Sequence, residues 1–475
     1  MLYVGAAKTE ITPAPRIPMA GYRARVGVAK GVHDPLFARA VTLDDGGRGL
    51  VLVALDLLAA GEDLVAAIRR ETMSRLRGMP AGGADVIVCA THTHAGPAGI
   101  LSNSENHDRE LVGAIVCKAA EAAAVAWETR RLGRIGFGSC RIQGVACNRA
   151  DSSSSFDPLL RLMKLEDVSG SPIACVINYG CHPTVLGPEN LLFSRDWPGY
   201  TQDMMEASRD PIGMVLFLNG ASADVSTRYT RRASSFDEAQ RLGRIVADGA
   251  LGAARQIEYV PTHEIRVLRK RVTLPRKPPV SPESASQALR EAEEELAELK
   301  ARADASPAEV RRAESAVLAW QIVVERSRDP RRKKEGLEAS EPVARPDPVV
   351  PVSPANFAER EGVKLVESAC EGLTCEVCVL DLESAIMAFV PGEATARTGS
   401  RVTQRIAEIR GLATDRVWLI GYANGHLGYI ADTDEARGAD PSSYEALMSR
   451  VTPEAARLIE EEIANLVVKG MSDRC

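Results

Sequence analysis

The sequence predicts an α/β fold, with mixed central β-sheet layers flanked by helices and interrupted by an inserted helical hairpin. Three observations predict it. Apolar runs of strand length end repeatedly in polar, chemistry-bearing residues. Helical periodicity with its own start signals fills 281–328. The chain has 475 residues with 45% hydrophobic content, which exceeds one simple core, so a large domain carrying an insertion is expected.

In chain order, residues 50–55 form an apolar strand run that delivers Asp56. Residues 85–90 form the next and lead into Thr91-His92-Thr93-His94-Ala95-Gly96-Pro97-Ala98-Gly99, which places two of the seven histidines within three residues. Residues two apart share a side of an extended chain, whereas on a helix they diverge by roughly 200°. His92 and His94 are therefore expected to face one crevice from an extended strand exit. Residues 172–178 lead to His182, whose backbone Pro183 keeps extended. Residues 213–218 run into Asn219, Asp224 and Ser226, residues 385–390 into Pro391-Gly392-Glu393, and residues 416–420 into Asn424 and Tyr429. A helical pattern from Glu393 to Ile409 is stopped by Gly411. Ligands of open α/β sheets bind outside the carboxyl ends of strands, so these six exits sketch one rim.

Between these runs, Ser281-Pro282-Glu283 and Ser306-Pro307-Ala308-Glu309 are helix-start signals with proline at the first helical position, the second also a capping box. Leu289, Ala292, Leu296, Leu299 and Ala303 recur at helical spacing, as do Val310, Ala313, Val317, Trp320 and Val324, which predicts an antiparallel hairpin. A basic, proline-rich connector follows from Arg328 to Pro354. The hairpin is read either as an arm packed on its own body or as a lid or dimer contact, through which the chain forms a homo-oligomer. Cys370, Cys375 and Cys378 have the spacing of an iron–sulfur ligand run, yet only Cys475 lies downstream, and 375–382 reads as a strand with cysteines as small apolar residues.

The motifs Gly5-Ala6-Ala7-Lys8-Thr9-Glu10-Ile11-Thr12-Pro13, Met19-Ala20-Gly21-Tyr22, the two-histidine run, Cys181-His182-Pro183-Thr184, Ser194-Arg195-Asp196-Trp197-Pro198-Gly199-Tyr200, Pro391-Gly392-Glu393 and the tail from Asn424 through Tyr429 to Tyr444-Glu445 resemble the neutral, non-lysosomal ceramidase family. The similarity covers about 1–250 and 380–450. It implies one catalytic Zn²⁺ per chain, hydrolysis of an N-acyl amide, and His92, His182, Glu393 and Tyr429 as metal ligands. It further implies His94 as a proton-transfer or substrate-positioning residue, Arg149 and Tyr444 as catalytic, and Asn148, Ser226 and Asn424 at the substrate. Asp56 and Asp196 are expected to orient the histidines, with a second metal as the alternative. On this reading 1–264 and 356–475 are the two parts of a catalytic α/β domain, and 265–355 is the inserted hairpin with its connector. The segment Ala223-Asp224-Val225-Ser226-Thr227-Arg228 departs from the family pattern on the substrate side.

The chemistry stands without the resemblance. Two imidazoles, a carboxylate and a phenol make a nitrogen/oxygen set suited to Zn²⁺, with Mn²⁺ and Fe²⁺ as competitors, and such a centre lowers the pKa of a water it holds to about 7. Arg149 or a tyrosine hydroxyl suits the oxyanion formed when a carbonyl is attacked, and His94 suits proton delivery to the amine. Asp224-Val225-Ser226-Thr227 is not a nucleophile elbow, so Ser226 is read as a pocket residue. The same site suits an ester, lactone or other small-molecule hydrolase, and a third reading is a non-catalytic assembly protein that works through its arm. A net charge of −6 gives no nucleic-acid footprint, and no apolar stretch is long enough to span a bilayer. A small-molecule or lipid-like amide substrate and a cytoplasmic location with reduced thiols are the remaining expectations.

Overall fold

A computed structural model describes residues 1–102, 107–150, 154–261, 264–328, 372–432 and 443–472. The connector expected from 328 to 354 and the Cys370 and Cys475 positions lie outside these residues, apart from Arg328 itself.

The large sheet contains Leu2–Glu10 (β1), Phe37–Asp44 (β2), Gly49–Leu55 (β3), Ala84–Ala90 (β4), Arg131–Arg141 (β5), Leu159–Asp167 (β6), Pro172–Tyr179 (β7), Met214–Asn219 (β8) and Glu258–Val260 (β9). Its order is β8-β7-β6-β5-β1-β2-β3-β4, with β9 also paired to β5. The β3/β4 and β7/β8 pairs are parallel and the rest antiparallel. A second sheet has Arg266–Leu274 (β10), Leu373–Asp381 (β11), Ile386–Phe389 (β12) and Val417–Ile420 (β13), in that order, with β12 and β13 parallel.

Strand periodicity sorts the side chains into layers. Along β3, Leu50, Leu52 and Ala54 meet Leu380, Met387, Phe389 and Trp418 of the second sheet. The alternate residues Val51, Val53 and Leu55 pack outward on Glu62–Arg75 (α1) and Arg109–Glu128 (α2), through Leu64, Ile68 and Trp127. Farther along, Cys175, Ile177 and Phe217 pack outward on Asp196–Glu206 (α3) and Phe236–Ala254 (α4). On the far side, Ile386, Ala388 and Leu419 meet Val402, Ile406, Ile459 and Ile463 from two further helices. The result is a helix–sheet–sheet–helix stack, the mixed layered α/β fold expected from the sequence. It explains why β3 is buried at every residue, since both of its faces are covered.

The hairpin consists of Pro282–Ala301 (α5) and Pro307–Arg328 (α6), inserted between the paired strands β10 and β11. Its capping box forms as the sequence predicts, with Ser306 Oγ accepting from Glu309 N–H at 3.2 Å and Glu309 Oε2 accepting from Ser306 N–H at 2.7 Å. The deeply buried face of α6 is Ala313, Ala316, Ala319, Ile322 and Val324, so Val317 and Trp320 of the expected stripe are only partly buried. The shift has a cause. Besides α5, α6 packs on a second surface, where Ala319 and Ile322 meet Met448, Tyr429, Tyr444 and Leu447, and Glu325 pairs with Arg23. The arm thus lies on its own body, beside the tyrosines singled out above.

The helical pattern after Glu393 begins later than the sequence suggests, at Ala396, and runs to Arg410 (α7). Thr395 caps it, and Gly411 closes it in the left-handed conformation at φ 61°. Glu393 belongs to a two-residue strand paired with Tyr429 and Ile430, so it is not a helix-terminal charge. Tyr444–Met448 (α8) and Ala455–Ser472 (α9) complete the described chain. No described helix is long and apolar enough to cross a membrane.

Candidate active site

The carboxyl ends of the parallel pairs meet at one edge of the two-sheet stack. After β4, Ala90 N–H donates to the Tyr422 carbonyl and Asn424 N–H to the Val88 carbonyl, so the exit of β13 is sewn onto β4. After β8, the Asn219 carbonyl accepts from Gly421 N–H. After β7, His182 bridges to Ser226 while Val225–Ser226 pairs with Cys147–Asn148, which brings Arg149 alongside.

Three imidazoles converge there. His92 Nε2 lies 3.2 Å from both His182 Nε2 and His94 Nε2, and the three histidine ligand atoms all fall within 4.8 Å of one another. The meeting of His92 and His94 does not come from an extended exit. His92 takes a left-handed backbone at φ 68°, a conformation that costs a non-glycine residue on the order of 1–3 kcal/mol. It is held by its N–H to the Leu57 carbonyl at 3.0 Å. Asp196, Tyr422 and Asn424, all close to the site in the chain trace, share positive φ values of 58°, 55° and 58°.

The tautomers of two histidines follow from their neighbours. His92 Nδ1 sits 2.7 Å from the Leu58 carbonyl and His182 Nδ1 2.5 Å from the Ser222 carbonyl. A carbonyl only accepts, so each Nδ1 carries the proton and each Nε2 presents a bare lone pair. Two bare lone pairs 3.2 Å apart repel unless a cation lies between them. Glu393 Oε2 lies 3.4 Å from both of these nitrogens, and it is buried with no hydrogen-bond partner among the described residues. Zinc–nitrogen bonds of about 2.0–2.1 Å in a tetrahedron put neighbouring ligand atoms about 3.3 Å apart. The observed 3.2 and 3.4 Å fit that edge, so His92, His182 and Glu393 are a cation-ready triangle.

Electrostatics agree with that reading. Burial pulls the His182 imidazole down to about 4, so it is neutral and able to donate its lone pair. His94 differs from its neighbours because its Nδ1 is buried without a partner among the described residues. No carbonyl fixes its tautomer, and burial followed by His92 and His182 hold its pKa well below the ordinary value.

Around the triangle, Arg149 is clamped. It pairs with Glu445 at 2.8 Å, donates to the Tyr429 hydroxyl at 3.2 Å, and lies 5.7 and 5.5 Å from the ring centres of Tyr429 and Tyr444. Burial works against its charge, but Tyr429, Glu445 and Glu393 hold the guanidinium well above its ordinary pKa. Tyr429 stands in register with Glu393, and burial, then Glu393, push its hydroxyl well above the ordinary value.

The sequence placed Asp56 and Asp196 behind the histidines, and the structure corrects this. The acceptors are the Leu58 and Ser222 carbonyls. Asp56 instead accepts from Phe37 N–H at 2.8 Å. Asp196 accepts from Val185, Leu186 and Trp197 N–H groups and so shapes the loop after His182. Backbone acceptors suffice because the loop after β3 and the 219–226 loop bring the Leu58 and Ser222 carbonyls to the rings. The three expected substrate residues are engaged within the wall. Asn148 donates to Asp224 at 2.7 Å, Ser226 Oγ accepts from Arg228 N–H at 3.3 Å, and Asn424 Oδ1 accepts from Val88 N–H at 3.0 Å.

Sequence reasoning missed Tyr422 and the work done by Asp224. Tyr422 stacks on His92 with ring centres 4.1 Å apart and meets Ser222 Oγ through its hydroxyl at 2.8 Å. Nothing in the local pattern singled it out from a packed tyrosine. Asp224 joins Asn148 to the Ala396 N–H at 2.7 Å, and burial, then Glu445, raise its carboxyl to about 6. A carboxyl raised on folding favours the folded state most at low pH and loses that contribution as pH rises from about 4 to about 6. The full span is worth about 3 kcal/mol at 1.36 kcal/mol per unit. Urea unfolding at pH 4.5 and 6.5 should show Asp224→Asn less destabilised relative to the parent at the higher pH, and a pH-independent difference would contradict the shift.

Residues 2–216 match the family model described as neutral/alkaline non-lysosomal ceramidase, N-terminal. Among curated relatives, the neutral ceramidase of Pseudomonas aeruginosa is 27% identical over 223 residues, 41% of this chain and 32% of that protein. Neutral ceramidase 2 of Arabidopsis thaliana is 25% identical over 282 residues, 55% of this chain and 35% of that protein. The matched part therefore spans about a third of the length of these relatives. The crystal structure of the Pseudomonas aeruginosa neutral ceramidase superposes with a TM-score of 0.71 at 19% identity, over 98% of this chain and 74% of that one. A structure described as ceramidase complexed with C2 gives the same score at 18% identity, over 99% and 75%. The fold is shared along nearly the whole chain, and residues 2–216 are similar to the N-terminal part of the neutral/alkaline non-lysosomal ceramidases.

Proposed function

We propose that this chain is a metal-dependent hydrolase that cleaves a linear N-acyl amide, with one Zn²⁺ held by His92, His182 and Glu393 and completed by Tyr429. The observation that carries the proposal is the bare, buried triangle of two imidazole lone pairs and one orphaned carboxylate oxygen at tetrahedral spacing. When bound, the metal would supply Lewis-acid polarisation and an acidified water.

The chain's own residues supply the rest. Arg149, fixed by Glu445, presents a permanent charge beside the triangle and suits a carbonyl oxygen that gains negative charge during attack. The Tyr444 ring beside Tyr429 lines the same side. His94, with neither nitrogen tied to a carbonyl, is the group able to take up and release a proton, and the leaving amine requires one. Asn148, Ser226 and Asn424 act through the wall that holds Arg149, His182 and the β13 exit in place.

An amide is favoured over an ester or lactone because the family match names ceramidases and because a poor leaving group needs the proton donor that His94 provides. Turnover of a short-chain fluorogenic N-acyl amide and its matched ester separates the two. Amide cleavage that depends on His94, with His94→Ala hurting the amide more than the ester, supports the proposal. Ester turnover alone, indifferent to His94, would move the chain to a different hydrolase class.

A further inference from the structure

Beyond the metal triangle, the face next to His94 is crowded with guanidinium groups. Arg25 donates to the His94 carbonyl at 2.9 Å and the Ala20 carbonyl at 2.6 Å. Arg231 donates to the Thr184 carbonyl, two residues after His182. Arg228 makes one long contact, 3.5 Å, to the Arg149 carbonyl. The Tyr22 ring joins the group, 5.0 Å from the His94 ring and 5.0 Å from the Arg25 guanidinium, with its hydroxyl donating to the Leu186 carbonyl at 2.7 Å.

The carboxylates of this region are already engaged, Asp196, which acts on the same Tyr22, by the N–H groups of Val185, Leu186 and Trp197. Arg149 has Glu445, and Arg311, on the arm helix and acting on Arg228, has Glu314. The exposed Glu189 acts on Arg25. Arg228 and Arg231 have no carboxylate within salt-bridge distance among the described residues, and both are half-buried. Burial, then Arg149 and Arg311, press the Arg228 charge downward. Like charges in a partly dry cleft repel, and a bound anion relieves that repulsion. Arg228 also lies in the segment that departs from the family pattern.

Building on the amide-hydrolase reading, we propose that Arg228 and Arg231, held at the Arg149 and Thr184 carbonyls on either side of His182, form an anion subsite next to the triangle, and that the substrate of this site carries an anionic oxyacid group close to its amide. The occupant is a carboxylate or a phosphate, since both accept from guanidinium forks. Cleavage would add water across the acyl carbon–nitrogen bond and release a carboxylic acid and an anion-bearing amine.

Equilibrium binding to the full, metal-loaded chain tests the subsite without relying on turnover. The probes are N-octanoylglycine, its uncharged counterpart N-octanoylglycinamide, and N-octanoyl phosphoethanolamine, with the Arg228→Gln/Arg231→Gln variant as comparison. Glutamine stays polar but removes the charge and the guanidinium fork. At least a tenfold preference for one anionic probe over the amide, lost in the variant, is expected, and whichever probe shows it identifies the oxyacid. Equal binding of all three, binding of none, or a preference that persists in the variant would overturn the subsite. Hydrolysis of the same probes is scored separately, so an anion preference without cleavage would leave the subsite standing and remove the amide-hydrolase reading.

Discussion

His182→Ala is expected to release the metal and to lower amide turnover by well over the roughly 10–100-fold that loss of a merely supporting group costs at a metal site. His182 is fully buried, neutral, and oriented by the Ser222 carbonyl, so it contributes a lone pair that no neighbour replaces. Its removal leaves His92 and Glu393 as one edge of the triangle. His33→Ala is the matched control, because His33 is exposed and stacked on Phe236 with ring centres 3.6 Å apart. Metal analysis and turnover on both variants check the prediction. Retention of metal and activity by His182→Ala would contradict the assignment.

Removing Arg149 should be the most destabilising polar substitution near the site. Breaking a buried ion pair by deleting one partner costs about 3–5 kcal/mol, because it strands the other charge. Arg149→Met strands Glu445, which is only 6% exposed, and removes the guanidinium that lies near the Tyr429 and Tyr444 rings. The arm feels this loss too, because Ala319 and Ile322 rest on those tyrosines and on Met448. Adding Glu445→Leu to Arg149→Met should recover much of the stability while amide turnover stays low, since the charge beside the triangle is still missing. Urea midpoints and single-substrate kinetics separate the two effects. A loss under about 1 kcal/mol for the single variant would mean that the pair is solvated rather than buried.

Much of this site was legible because its pieces are local. An apolar run followed by His92, His182 or Glu393 is a strand exit whatever the rest of the chain does, and parallel pairing carries such exits to one edge. The hairpin was legible for the same reason, since Ser306 and Glu309 cap α6 within a single turn. What escaped was tertiary. The left-handed turn at His92 exists because the Leu57 and Leu58 carbonyls wait beneath it, and a backbone acceptor leaves no mark in residue identity. Acidic residues were therefore assigned a task that two carbonyls perform. The position of α6 beside Tyr429 was equally invisible, because helical spacing reports that a face is apolar and not what will cover it.

The central claim is that a cation belongs in the triangle of His92, His182 and Glu393, and that amide hydrolysis depends on it. The most direct measurement is the metal content per chain of the purified protein, paired with turnover of a short-chain N-acyl amide before chelation, after chelation and after zinc is restored. The account predicts one zinc per chain, loss of turnover on chelation and recovery on restoration. A chain that purifies without metal and stays inert when zinc is supplied would contradict it, as would one that hydrolyses the amide equally well with and without metal.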